Sequence, residues 1–98
     1  MNKTEDKRNI FNLIFENEGY EDWYITLYIT LHTAEPKTEE EIMSLIRYYG
    51  KVNEKNYTDY SPIDIMDDLC SNNEGWFWYW TDTKTDTEWY LVKEERNG

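Results

Sequence analysis

Residues 22–32, DWYITLYITLH, alternate without a break between two kinds of side chain. Trp23, Ile25, Leu27, Ile29 and Leu31 fall on one side of an extended chain, and Tyr24, Thr26, Tyr28, Thr30 and His32 on the other. The segment therefore reads as a β-strand with one wholly apolar face and one amphipathic, tyrosine-rich face. The apolar face needs a cover, and the neighbouring segments supply candidates for it.

Upstream, Ile10, Phe11, Ile14 and Phe15 share one helical stripe, which predicts an amphipathic helix over 4–18. Thr4 would cap it, Glu5 and Asp6 would suit its positive end, and Gly19 would close it. Downstream, Pro36 ends the connection and Thr38 with Glu41 has capping-box spacing. Ile42, Leu45, Ile46 and Tyr49 follow at i, i+3, i+4 and i+7, and Gly50 stands where a helix C-terminus wants glycine. Residues 51–60 read as a polar loop carrying Tyr57 and Tyr60. Ser61 then caps a further helix with Pro62 in its first position. Ile65 and Leu69, flanked by Ile63, Met66 and Cys70, give that helix a buried side, while Asp64, Asp67 and Asp68 project elsewhere.

SNNEG, residues 71–75, breaks the helix, and a strand is expected over 76–80. A polar turn region and a last strand in EWYLVKE follow, and the two strands are expected to pair as a hairpin. The expected fold is a single α+β domain over 1–98, with a three-stranded antiparallel sheet, three short helices and the order α-β-α-α-β-β.

Trp76, Phe77, Trp78, Tyr79 and Trp80 are five aromatic residues in succession, so a strand there loads both faces with rings. The sheet's second face would display Tyr24 and Tyr28 with either Trp76, Trp78 and Trp80 or Phe77 and Tyr79, depending on strand orientation. Either helices cover both faces and the rings are core, or one face is an aromatic platform or dimer surface.

The chain has 98 residues, a net charge of −11 and 17% aromatic residues. A domain of this length buries roughly 60–65% of its unfolded surface, enough for one modest core. Acidity alone would suggest disorder, but disordered chains lack such rings and β-branched residues. Residues 16–41 and residues 59–88 each carry eight acids and one lysine. Such a field repels nucleic acid and anionic membranes and attracts basic partners. No run reaches the roughly 18 apolar residues of a membrane span, and the N-terminus has no signal-peptide stretch. A lone cysteine, Cys70, forms no intrachain disulfide and suits a reducing cytoplasm. Lys, Asn, Ile, Tyr and Phe make up 36 residues against 10 of Ala, Gly, Pro and Arg, a bias expected of a low-GC bacterium or a phage living in one.

Motifs for chemistry are missing. His32 has no nucleophile near it in sequence, and Cys70 sits among apolar residues as a small hydrophobe. DTKTDTE, residues 82–88, has Thr87 and Lys93 where a calcium loop needs glycine and glutamate. No glycine-rich phosphate loop, GxSxG or HExxH is present, so neither an enzyme nor a metal or other cofactor is expected.

In its overall profile of small size, strong acidity and dense aromatics, the chain resembles the small inhibitors of phages and mobile elements, of the anti-CRISPR or anti-restriction type. That resemblance implies nucleic-acid mimicry: carboxylates occupy the basic groove of a host defence nuclease, with rings adding short-range affinity. The contact residues expected are Glu16, Glu18, Glu21, Asp22, Glu39, Glu40, Asp64, Asp67, Asp68, Asp82 and Asp86, with Tyr57 and Tyr60 as aromatic partners. Two other classes compete: an immunity protein neutralising a nuclease toxin, and a homodimeric structural or regulatory protein using the aromatic sheet face on itself.

Overall fold

The computed structural model describes residues 6–18, 24–56, 62–81 and 88–92. Four strands and two helices follow in the order β1 (Arg8–Glu18), β2 (Tyr24–Lys37), α1 (Glu39–Asn56), α2 (Pro62–Ser71), β3 (Phe77–Thr81) and β4 (Tyr90–Val92). The strands form one mixed sheet in the order β3-β2-β1-β4. Both β1 and β3 run antiparallel to β2, and β4 runs parallel to β1.

The expected three-stranded antiparallel sheet with three helices is thereby corrected in three places. Residues 8–18 are a strand, not part of an N-terminal helix, because their odd positions carry the burial: Phe11, Leu13 and Phe15 face the core while Ile10 is exposed. A helical stripe would have buried Ile10 and Ile14 together with Phe11 and Phe15; the sheet takes only one residue in two. The proposed caps of that helix, Thr4 and Gly19, lie outside the described residues, as does Trp23. The second correction concerns β3 and β4, which do not pair as a hairpin. They occupy opposite edges, with β2 and β1 between them.

The third correction is at Gly50, which does not end α1; the helix continues to Asn56. A Cβ built on Gly50 would meet Ile65 Cδ1 at 3.7 Å, so the glycine marks where α2 crosses α1 and not a cap. Beyond it Asn53 is fully buried, donating from Nδ2 to the Tyr49 carbonyl and to Asp68 Oδ2, both at 2.8 Å. That tie to α2 gives the extra turns a reason to stay helical.

Other expectations hold. Ile29 and Leu31 of β2 are fully buried, and the strand extends past residue 32 to Lys37. The capping box forms reciprocally: Glu41 N–H donates to Thr38 Oγ1 at 3.1 Å, and Thr38 N–H donates to Glu41 Oε1 at 2.9 Å. Pro62 opens α2, and Ile65, Met66 and Leu69 are its buried side.

The core lies between one face of the sheet and the two helices. It joins Phe11, Leu13, Phe15, Ile29 and Leu31 to Ile42, Ile46, Ile65, Met66 and Leu69, with Trp76 and Val92 at its margins. Fully burying each of these side chains is worth about 1.5–3 kcal/mol relative to exposure, so this single layer carries most of the favourable free energy. The chain passes from α2 into β3 through Gly75, whose φ of 86° favours glycine and where a Cβ would stand a tight 3.1 Å from Ala34 Cβ.

Candidate functional site

Residues directly opposite one another in neighbouring strands share a face. One set of rows, Trp78–Leu31–Phe11 and Trp80–Ile29–Leu13–Tyr90, points toward the helices. The other set comprises Phe77–His32–Ile10, Tyr79–Thr30–Asn12 and Thr81–Tyr28–Ile14–Leu91. Among the described residues no helix lies over this second set. Ile10 is 49% exposed, Phe77 54%, Tyr79 47% and Leu91 43%, although each stands in a strand of the sheet. Phe77 and Tyr79 are thus the rings on the second face, and among the described residues only Glu88 and Trp89 of the segment before β4 approach it, at Asn12 and Tyr28.

The uncovered face is internally ordered. The His32 ring stacks on Phe77 at 4.4 Å between centroids and 7° between planes, and His32 Nε2 lies 3.5 Å from the Tyr79 hydroxyl. Tyr28 packs edge-on against Trp89 at 5.5 Å. In the centre Thr30 Oγ1 donates to Asn12 Oδ1 at 2.8 Å, and Thr30 is buried among its neighbours without a helix above it. Asn12 Nδ2 in turn donates to the Glu88 carbonyl at 3.4 Å. The surface is a ring-bearing shelf with a small polar seam, and its rings are held in place by one another.

The carboxylates expected to contact a partner are placed differently. Glu39 and Glu40 are exposed on the first turn of α1, where they also suit the helix dipole. Asp64 and Asp67 are exposed on α2, and Asp68 is half-buried there. Asp67 accepts from Trp78 Nε1 at 3.1 Å, and Asp68 holds Asn53, so both have structural work. All five therefore sit on the helical layer, with the exposed rings Phe77 and Tyr79 on the other side of the sheet. Glu16 and Glu18 are placed by backbone register opposite Thr26 and Tyr24. Glu21, Asp22, Tyr57, Tyr60, Asp82 and Asp86 lie outside the described residues.

Ile10 and Leu91 belong to the uncovered face and escaped the sequence reading. Ile10 was absorbed into the expected helix, and Leu91 into a strand whose neighbour was misassigned. The recurrence of Phe11, Leu13 and Phe15 at every second position is the signal that finds the first.

Cys70 packs against the core, and burial, with Asp67 adding to it, pushes its thiol up to about 11. It is not an activated nucleophile. Glu41 is held below its ordinary carboxyl value, first by the hydrogen bond from the Thr38 backbone N–H. Among the described residues no group of three or more His, Cys, Asp or Glu side chains could hold a metal ion, and no helix is long and apolar enough to cross a membrane. The second face presents apolar area, ring faces and a few polar atoms on a chain of net charge −11. No family model, no curated protein and no solved structure matches this chain.

Proposed function

We propose that the chain is a non-enzymatic binding protein for a basic, nucleic-acid-binding protein, which it holds through the open sheet face and keeps from its nucleic acid. The observation that carries the reading is the exposure of Ile10, Phe77, Tyr79 and Leu91 on the sheet face turned away from the helices, the other face holding the core. Exposed rings and aliphatic side chains on one face of a chain so charged support a binding surface. The net charge of −11 selects the partner's sign and speeds encounter, while the rings supply the short-range contact. An inhibitor of a defence nuclease, acting by occupying its nucleic-acid groove, is the specific form of this reading.

The test is capture on immobilised protein from lysate of a low-GC bacterium, with and without competing DNA and RNA, run in parallel with a Phe77→Ser/Tyr79→Ser variant. A basic nucleic-acid-binding protein retained by the parent chain, displaced by competitor and lost with the variant supports the reading. Retention that ignores both competitor and variant overturns it. Retention should also weaken between low and moderate salt, because steering by exposed charge is screened within about 10 Å at 0.1 M.

A further inference from the structure

β3 is an edge strand: β2 pairs with one of its sides, and among the described residues no strand pairs with the other. Natural edge strands are blunted by lysine, proline, bulges or a covering element. Residues 77–81, FWYWT, contain neither lysine nor proline, and their register with β2 runs unbroken from His32↔Phe77 to Tyr28↔Thr81. The other edge is different in kind. β4 has three residues, and its neighbour Glu88 is tied to Arg8 at 3.4 Å.

The rings flank the β3 edge on both sides. Phe77 and Tyr79 stand on the open face, and Trp78 and Trp80 on the helical face. Trp78 is held by Asp67 of α2, but Trp80 lies past the helix and is 54% exposed. An extended segment laid along this edge, about 4.8 Å away, would place alternate side chains on ring faces above and below the sheet. The helical-face border of the edge is acidic: Asp67 of α2 stands beside Trp78, and residues 62–81 include no lysine, arginine or histidine. Cationic side chains suit such a border and suit the ring faces as well. A second copy of the chain would bring the same acids against themselves.

We infer that the β3 edge accepts an extended, lysine- or arginine-bearing segment of the partner as a fifth strand. This rests on the proposed function and specifies how the basic partner is gripped. Main-chain hydrogen bonds to β3 set its register; its basic side chains lie over Trp80 beside Asp67 on the helical face, and its alternate apolar side chains over Phe77 and Tyr79.

The experiment uses the full chain and three synthetic octapeptides: a Lys-Val repeat, the same repeat with alternate amides N-methylated on the pairing edge, and a Glu-Val repeat. Binding is followed by tryptophan fluorescence and by amide hydrogen exchange. The Lys-Val peptide should bind and slow exchange at residues 77–81. Methylation should weaken it about tenfold or more, as loss of main-chain bonds requires, and the Glu-Val peptide should not bind. Trp80→Thr should weaken the Lys-Val peptide several-fold with an unchanged circular dichroism spectrum, since the ring is largely outside the core. Equal binding of methylated and unmethylated peptides, or protection only at Ile10, His32 and Leu91, overturns strand addition and leaves the proposed function standing. No binding by the Lys-Val peptide at millimolar concentration overturns the inference, and loss of the native partner in the capture assay would be needed to bring the proposed function down with it. Protection of 77–81 that grows with protein concentration in the absence of peptide makes a second copy the occupant, and also overturns the inference.

Discussion

The indole N–H of Trp78 donates to the Asp67 carboxylate at 3.1 Å, joining α2 to the edge strand β3 across the helical face of the sheet. An acid that the sequence offers as a partner contact is thus engaged within the molecule. Asp67→Ala should cost about 1–2 kcal/mol, the range for a hydrogen bond to a charged acceptor at a partly exposed site. Urea denaturation followed by tryptophan emission measures it. An unchanged midpoint would show that the bond adds nothing to the packing of α2 on β3.

Two glycines should respond in opposite directions to the same change. Gly50 lies inside α1 with ordinary contact distance available at its Cβ position, so Gly50→Ala should stabilise by about 0.5–1 kcal/mol. Gly75 combines a positive φ with a 3.1 Å approach to Ala34 Cβ, so Gly75→Ala should destabilise by about 1–3 kcal/mol. Thermal midpoints of the two variants, moving apart from the parent, check both statements at once.

Acid should remove one identifiable contribution. Glu41 has a folded value below its ordinary one, so its charged form favours the native state above the ordinary carboxyl range, and that help disappears as pH falls through the depressed folded value. Relief of self-repulsion at net charge −11 acts in the opposite sense, so the parent's overall pH curve is a mixture. The comparison with Glu41→Gln isolates the group: the gap between parent and variant should be full near neutrality and close toward strong acid. A gap independent of pH would remove the charged capping box from the account.

Cys70 should be slow toward thiol reagents. With its thiol pushed up to about 11, only about a thousandth is thiolate at pH 8, against a quarter or so for an ordinary cysteine. Reaction in urea should be faster by about two orders of magnitude. Equal rates in the native and unfolded chains would mean that the thiol is not shielded.

The parts of the fold that are legible in the sequence are those specified by neighbouring residues. Alternation names β2, the Thr38–Glu41 pair names the start of α1, and Pro62 names the start of α2. NIFNLIF at residues 9–15 satisfies two periods at once: positions 10, 11, 14 and 15 make a helical stripe, while 11, 13 and 15 make a strand face. Its isoleucines and phenylalanines are enriched in strands and only middling helix formers, a propensity that breaks the tie correctly. The partners of β3 and β4 are set by packing across the whole chain, which no local pattern carries. Of the candidate surface, the aromatic run was visible in advance. That no helix covers its second face among the described residues follows from two helices, not three, being found there, both on the other side of the sheet.

Placing β4 beside β1 has a consequence for synthesis. Leu13 pairs with Tyr90 and Phe15 with Val92, so β1 is completed by a segment made 77 residues later. At 5–20 residues per second, about 4–15 seconds separate their emergence from the ribosome. Throughout that interval β1 can pair with β2 as a hairpin, but its outer edge stands bare, with apolar residues on both faces. The nascent chain is therefore most prone to aggregate before residues 90–92 appear, and a holdase that shields strand edges would act on it then.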